Sequence, residues 1–121
     1  MATKDIAEGL VSLCKSGQFD EAITRYYADS IVSVEAMAPA GGQPETHGLA
    51  AVQAKQQWWN ENHETNSMEI DGPYVNGDQF AVRFNMDVTF KPKAERMTMT
   101  EVAIYTVADD KIIHERFFYG G

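Results

Sequence analysis

The chain has a single cysteine, Cys14, in 121 residues. One thiol forms no internal disulfide, so nothing calls for an oxidising compartment. Long apolar runs are missing as well, and no stretch reaches the roughly 18 residues a membrane helix needs. The opening residues, Met1-Ala2-Thr3-Lys4-Asp5, carry no apolar segment of the secretory kind. These absences predict a cytoplasmic protein with no membrane partner. Bases are scarce: 10 Lys and Arg stand against 18 Asp and Glu, for a formal net charge of −8. The deficit is even, with eight acids and four bases in residues 1–62 and ten and six in residues 63–121. Nucleic-acid binding begins with basic side chains neutralising phosphates, so nucleic acid is excluded as a partner. Anionic membranes and polyanionic substrates are repelled for the same reason. The one basic cluster, Lys91, Lys93 and Arg96, reads as a solvated hairpin loop.

Chemical motifs are equally sparse. The sequence has no glycine-rich phosphate loop, no serine nucleophile elbow and no dinucleotide fingerprint. His47, His63 and His114 fall at no metal-ligand spacing, so neither a metal nor a cofactor is expected. Cys14 has no activating base near it in sequence and reads as a small buried thiol. What is present is an ordinary globular composition, 44% hydrophobic, at a length that makes one domain over residues 1–121.

Ile6, Leu10, Leu13 and Cys14 recur at helical spacing from about Thr3, and Ser16-Gly17 stops that helix. Phe19, Ala22, Ile23 and Tyr26/Tyr27 predict a second helix ending near Ala28-Asp29. Ile31 to Met37 reads as a strand, residues 38–48 as a loop, and Leu49 to Asn62 as a third helix with Leu49, Val52, Gln56 and Trp59 on one face. The period then changes to two. Met68 to Val75 is a strand, Asn76-Gly77 a hairpin turn with both positions at positive φ, and Phe80 to Phe90 alternates strictly. Arg96 to Val107 and Lys111 to Tyr119 complete the sheet, around a turn at Ala108-Asp109-Asp110. Three early helices followed by antiparallel strands make an α+β fold, in which a curved sheet closed by helices leaves a cone with an apolar pocket.

The chain resembles the nuclear-transport-factor-2-like, or cystatin-like, superfamily, and within it the ketosteroid isomerase-like and SnoaL-like polyketide cyclase-like proteins. Ser16-Gly17-Gln18-Phe19-Asp20 is similar to its junction between the first two helices, and Tyr27-Ala28-Asp29-Ser30 to its "F-A-D-D". His47-Gly48 with Leu49-Ala50-Ala51-Val52 resembles the start of its third helix, and Lys111-Ile112-Ile113 with Arg116-Phe117 its closing strand. The fold follows from this resemblance far more firmly than the function, because the superfamily includes isomerases, cyclases, hydrolases and non-catalytic binders.

By position, the resemblance places a general base at Glu35, eight residues after Tyr27. Proton abstraction beside a carbonyl needs a carboxylate held in a partly apolar pocket, which raises its pKa towards working pH. Glu35 on the exterior, or salt-bridged at the rim, would overturn the enzyme reading that has it as general base. Leu10 and Ala103 stand where the isomerase pattern has its oxyanion donors, a departure from that pattern. Alternation from Ala103 puts Met97, Met99, Glu101 and Tyr105 on the cavity side of their strand, and the resemblance does the same for Glu115, Phe117 and Tyr119. Phe84 and Met86 face inward with Val88, and Tyr27, near the end of the second helix, is a further candidate for ligand contact. Of Trp58 and Trp59, adjacent on the third helix, one is expected to wall the pocket and the other to pack elsewhere.

Three carboxyls, Glu35, Glu101 and Glu115, thus converge on one apolar volume, where at least one holds its proton near neutral pH. They form an acid–base set or a clamp for a ligand amine or hydroxyl. The alternative pairs Glu101 or Glu115 with Arg96 or Arg116 at a rim. A rival constellation is the row Arg83, Asn85 and Asp87, which resembles the water-activating set of epoxide hydrolases. Its opposite face fits the cone better, so the row is placed on the outer face of the sheet, as candidates for a homodimer contact. Two readings of function stay open: a cofactor-independent isomerase- or cyclase-type enzyme on a small apolar carbonyl compound, or a non-catalytic small-ligand-binding protein. An epoxide-hydrolase-like enzyme requires the Arg83 row to face inward.

Overall fold

The computed structural model describes residues 2–38 and 42–119. Helix α1 covers Thr3–Lys15, α2 Phe19–Tyr26 and α3 Leu49–Asn62. The strands are β1 (Tyr27–Val34), β2 (Glu45–His47), β3 (His63–Asn76), β4 (Gln79–Phe90), β5 (Glu95–Ala108) and β6 (Lys111–Phe118). They form one sheet in the order β2-β1-β6-β5-β4-β3. Every neighbouring pair is antiparallel except β1 with β6, which run parallel. The fold is α+β, three helices on a six-stranded mixed sheet.

The helices pack by their apolar stripes. In α1, Ile6, Ala7, Leu10, Val11 and Cys14 are buried at three- and four-residue spacing. Gly9 lets α2 come close: a Cβ there would lie 2.0 Å from the Tyr26 hydroxyl, so a larger residue would push the two helices apart. On β4, Phe80, Val82, Phe84, Met86 and Val88 are buried on one face, as strict alternation requires. With Ile31, Val52, Ala103 and Ile112 they make one continuous core beneath the helices.

Several boundaries differ from the sequence expectation. Helix α2 ends at Tyr26 rather than near Ala28-Asp29, and β1 begins at Tyr27 rather than Ile31, because Tyr27 pairs with Ile112 of β6. That pairing slips before resuming at Val32 opposite His114. The irregularity hides the strand's start from a period-two pattern. The expected loop over 38–48 contains β2, which pairs Val32–Val34 with Glu45–His47; residues 39–41 lie outside the described set. Strand β3 begins at His63, five residues before the expected Met68. It is an edge strand, and its polar first residues pair with β4 without needing a buried face. In the first hairpin the central turn positions are Gly77 and Asp78, and among these only Gly77 has positive φ, at 62°. The β5–β6 hairpin has Asp109 and Asp110 at φ 51° and 63°, so both central positions are left-handed.

Candidate active site

A cavity of about 650 Å³ opens between the helices and the inner face of the sheet. Its walls contain Glu35, Glu101 and Glu115, and also Tyr27, Trp58, Trp59, Phe84, Met86, Met99, Tyr105, Phe117 and Tyr119. The strands place these side chains by simple alternation. On β5, Met99, Glu101 and Tyr105 share the inner face, and on β6 Glu115 and Phe117 do, with Tyr119 one residue past the strand.

Register decides what each carboxyl meets. Glu115 lies opposite Ser33 of β1 on one side and Tyr105 of β5 on the other. It is 2% exposed and accepts a hydrogen bond from the Tyr27 hydroxyl and another from Ser33. Burial raises its pKa, and the two donors oppose that rise without cancelling it. The Tyr27 and Tyr105 hydroxyls share a hydrogen bond, and burial beside Glu115 holds both phenols well above their usual range. Cys14 sits against the same group and is pushed up to about 12, first by burial and then by Glu115. The thiol is therefore protonated and is no nucleophile at neutral pH.

Glu35, one residue beyond β1, is held differently. Its Oε1 lies 3.0 Å from Lys55 Nζ and its Oε2 accepts from the Tyr119 hydroxyl at 3.0 Å. Lys55 also donates to Ser33 Oγ at 2.8 Å, and its Nζ stands 5.6 Å from the centre of the Phe117 ring. The Glu35 and Lys55 side chains are 26% and 31% exposed. Glu35 thus reaches the cavity as half of an ion pair near its mouth. It lacks the unpaired apolar setting on which its assignment as general base depended, and that assignment is withdrawn.

Glu101 has that setting. Its neighbour on β4 is Phe84, which offers no donor. Among the described residues no side chain hydrogen-bonds or ion-pairs with its carboxyl. Burial first, then the charges of Glu35 and Glu115, push its pKa up to about 7, while Lys55 pulls the other way. Neither alternative arginine partner is used. Arg96 binds Asp87 at 2.8 and 2.9 Å, and Arg116 is exposed.

Trp58 and Trp59 depart from the expected division of labour, because both line the cavity. Trp59 stacks on the His63 ring at 3.7 Å, and Trp58 meets the same ring edge-on at 5.9 Å while remaining 55% exposed. The imidazole between them lets adjacent residues serve one site. Arg83, Asn85 and Asp87 lie on the outer face: Arg83 is exposed, Thr100 donates to Asn85, and Arg96 with Asn66 holds the Asp87 carboxyl below the usual range. The epoxide-hydrolase reading required this row inside and is dropped. Sequence reasoning missed Lys55 and Ser33. Their signals were present: Lys55 follows Val52 by three on α3, and Ser33 stands two residues from Ile31 and from Glu35 on one strand face.

The sequence profile of the SnoaL-like domain matches residues 1–119. The chain belongs to the SnoaL-like family. A solved structure from Mesorhizobium loti, described as a candidate SnoaL-like polyketide cyclase with carbohydrate phosphatase in brackets, is 48% identical. It covers 98% of this chain and 100% of its own, with a TM-score of 0.93. A candidate isomerase from Bacillus subtilis shares the fold at 13% identity, over 99% of this chain and 90% of that one, TM-score 0.81. A Xanthomonas campestris protein of unknown function with a cystatin-like fold is 16% identical, over 100% and 92%, TM-score 0.78. No curated protein sequence matches the chain. Among the described residues of this SnoaL-like domain no group of His, Cys, Asp and Glu has a metal-site arrangement, and no helix is long and apolar enough to cross a membrane.

Proposed function

We propose that this SnoaL-like domain is a cofactor-independent enzyme of the isomerase or cyclase type, which moves a proton beside the carbonyl of a small, largely apolar compound. One observation carries the reading: Glu101 stands in the cavity without a side-chain partner among the described residues, where burial and the neighbouring acids push its pKa up to about 7. A carboxyl so poised is ionised often enough to abstract a proton and basic enough to drive the transfer. The enolate formed then needs a donor, and Glu115, whose proton is favoured by burial, faces the same volume. Tyr27 fixes Glu115 in place from the other side. A phosphate ester fits less well, because Lys55 is the sole base among the lining residues and is already paired with Glu35.

The second reading, a binding protein without catalysis, is favoured by Leu10 and Ala103, apolar residues where an oxyanion donor would strengthen the enzyme case. Proton exchange separates the two. With 2-tetralone in D₂O, the protein is expected to accelerate loss of the α-proton NMR signals, with a rate that rises through pH 7. Glu101→Gln is expected to lower that rate on the order of 100-fold. Binding of the ketone without any exchange would overturn the enzyme reading in favour of the second.

A further inference from the structure

The walls of the cavity contain a second chemistry. Three of the lining residues are acids and one is a base. Existing partners engage all but one of these groups: Glu35 with Lys55 and Tyr119, and Glu115 with Tyr27 and Ser33. The molecule already shows how this cavity holds an ammonium group. Lys55 Nζ is surrounded by a carboxylate at 3.0 Å, a hydroxyl at 2.8 Å and the Phe117 ring at 5.6 Å. Such a set replaces the hydration shell of a cation with a fixed negative charge and the electron-rich face of an aromatic ring. Glu101 repeats part of that set without a lysine. The Phe84 ring lies across from it on β4, Met99 lies two residues away on its own strand face, and Tyr105 lies further along.

We propose that the cavity binds apolar ammonium ions, with the cationic nitrogen at the Glu101 carboxyl and the apolar body against Phe84, Met86 and the tryptophans. An anion finds no free counter-charge here. A neutral ligand leaves Glu101 buried with its proton, whereas a cation stabilises the ionised carboxylate in surroundings that otherwise disfavour it. The groups facing Glu101 are Glu35 after β1, Glu115 of β6 and Lys55 of α3, with Tyr105 on its own strand and Tyr119 beyond β6. The two acids oppose its ionisation and Lys55 favours it. Binding of a cation therefore displaces a proton from Glu101, and affinity rises with pH. Amine binding neither requires nor excludes proton transfer to a carbonyl compound, and a different readout tests it.

The probes are benzyltrimethylammonium, whose charge is permanent, and neopentylbenzene, its neutral isostere. Trp58 and Trp59 are the protein's only two tryptophans and both line the cavity, so their fluorescence reports the site. The expected result is that the cation binds about tenfold more tightly at pH 8.5 than at pH 5.5, while neopentylbenzene gains no affinity over that range. Glu101→Gln is expected to keep neopentylbenzene binding, which verifies the fold, and to abolish the pH dependence of the cation. The proposal is overturned if the cation binds no better than its isostere at pH 8.5, if its pH dependence survives Glu101→Gln, or if neither probe binds.

Discussion

The two sides of the cavity treat a buried carboxyl in opposite ways. Where β1, β6 and α3 meet, hydroxyls and an ammonium run in an unbroken chain from Tyr27 through Glu115, Ser33 and Lys55 to Glu35 and Tyr119. Each acid there is satisfied by the protein itself. On the β5 side Glu101 faces Phe84 and methionines and is satisfied by nothing among the described residues. Burial raises the pKa of Glu115 on the first side and of the half-buried Glu101 on the second. Only the second leaves its carboxyl free to meet a ligand, and a group held at a cost to folding is the kind an active site or binding site retains.

Folding stability breaks the comparison most directly. The Glu101 carboxyl binds its proton more tightly folded than unfolded, about 7 against the ordinary 4.5. In that interval the native state holds more protons, so stability is fully present below pH 4.5, falls as pH rises to 7, and levels off above. Relative to Glu101→Gln, the wild type is expected to lose up to about 3 kcal/mol across this window, measured by urea unfolding at a series of pH values. A flat difference would remove the special position of Glu101. The opposite side yields a smaller effect. Tyr27→Phe takes a donor from Glu115 and is expected to cost about 1–2 kcal/mol at pH 7, by the same measurement. The smallest effect links the two sides. Lys55→Met is expected to cost less than about 1 kcal/mol, because the pair with Glu35 is partly exposed. It is also expected to move the Glu101 titration upward, read by carboxyl ¹³C NMR, because Lys55 is the charge that favours its ionised form. No movement would mean that the two sides do not communicate.

The sequence carried the fold well wherever one face of an element is buried. Strand β4, with Phe80 to Val88 inside, was legible residue by residue, and the same alternation put Glu101 and Glu115 in the cavity. Legibility failed where burial is two-sided or absent. The early part of β3 is polar on an edge, and the slipped pairing at the start of β1 obeys no period. Within the site, the identity of the inward carboxyls was readable, but their roles were not. Glu35 and Glu101 look equivalent as letters in alternating strands. Only the approach of Lys55 from α3, twenty residues away along the chain, makes one an ion pair and leaves the other alone.

The single parallel pairing, β1 against β6, has a consequence for the order of events during synthesis. The contacts that build the polar side of the cavity join residues 88 and 84 positions apart, Tyr27 with Glu115 and Glu35 with Tyr119. The β3-β4-β5 hairpins join near neighbours and close early, whereas a nascent chain has no Glu115 to offer until β6 has been synthesised. Until then Tyr27 and Ser33 await their acceptor and the half-built cone exposes an apolar lining. The last strand is therefore a lock as well as a wall: a chain stalled before it presents a sticky funnel, and the arrival of Glu115 and Tyr119 marks completion of the pocket.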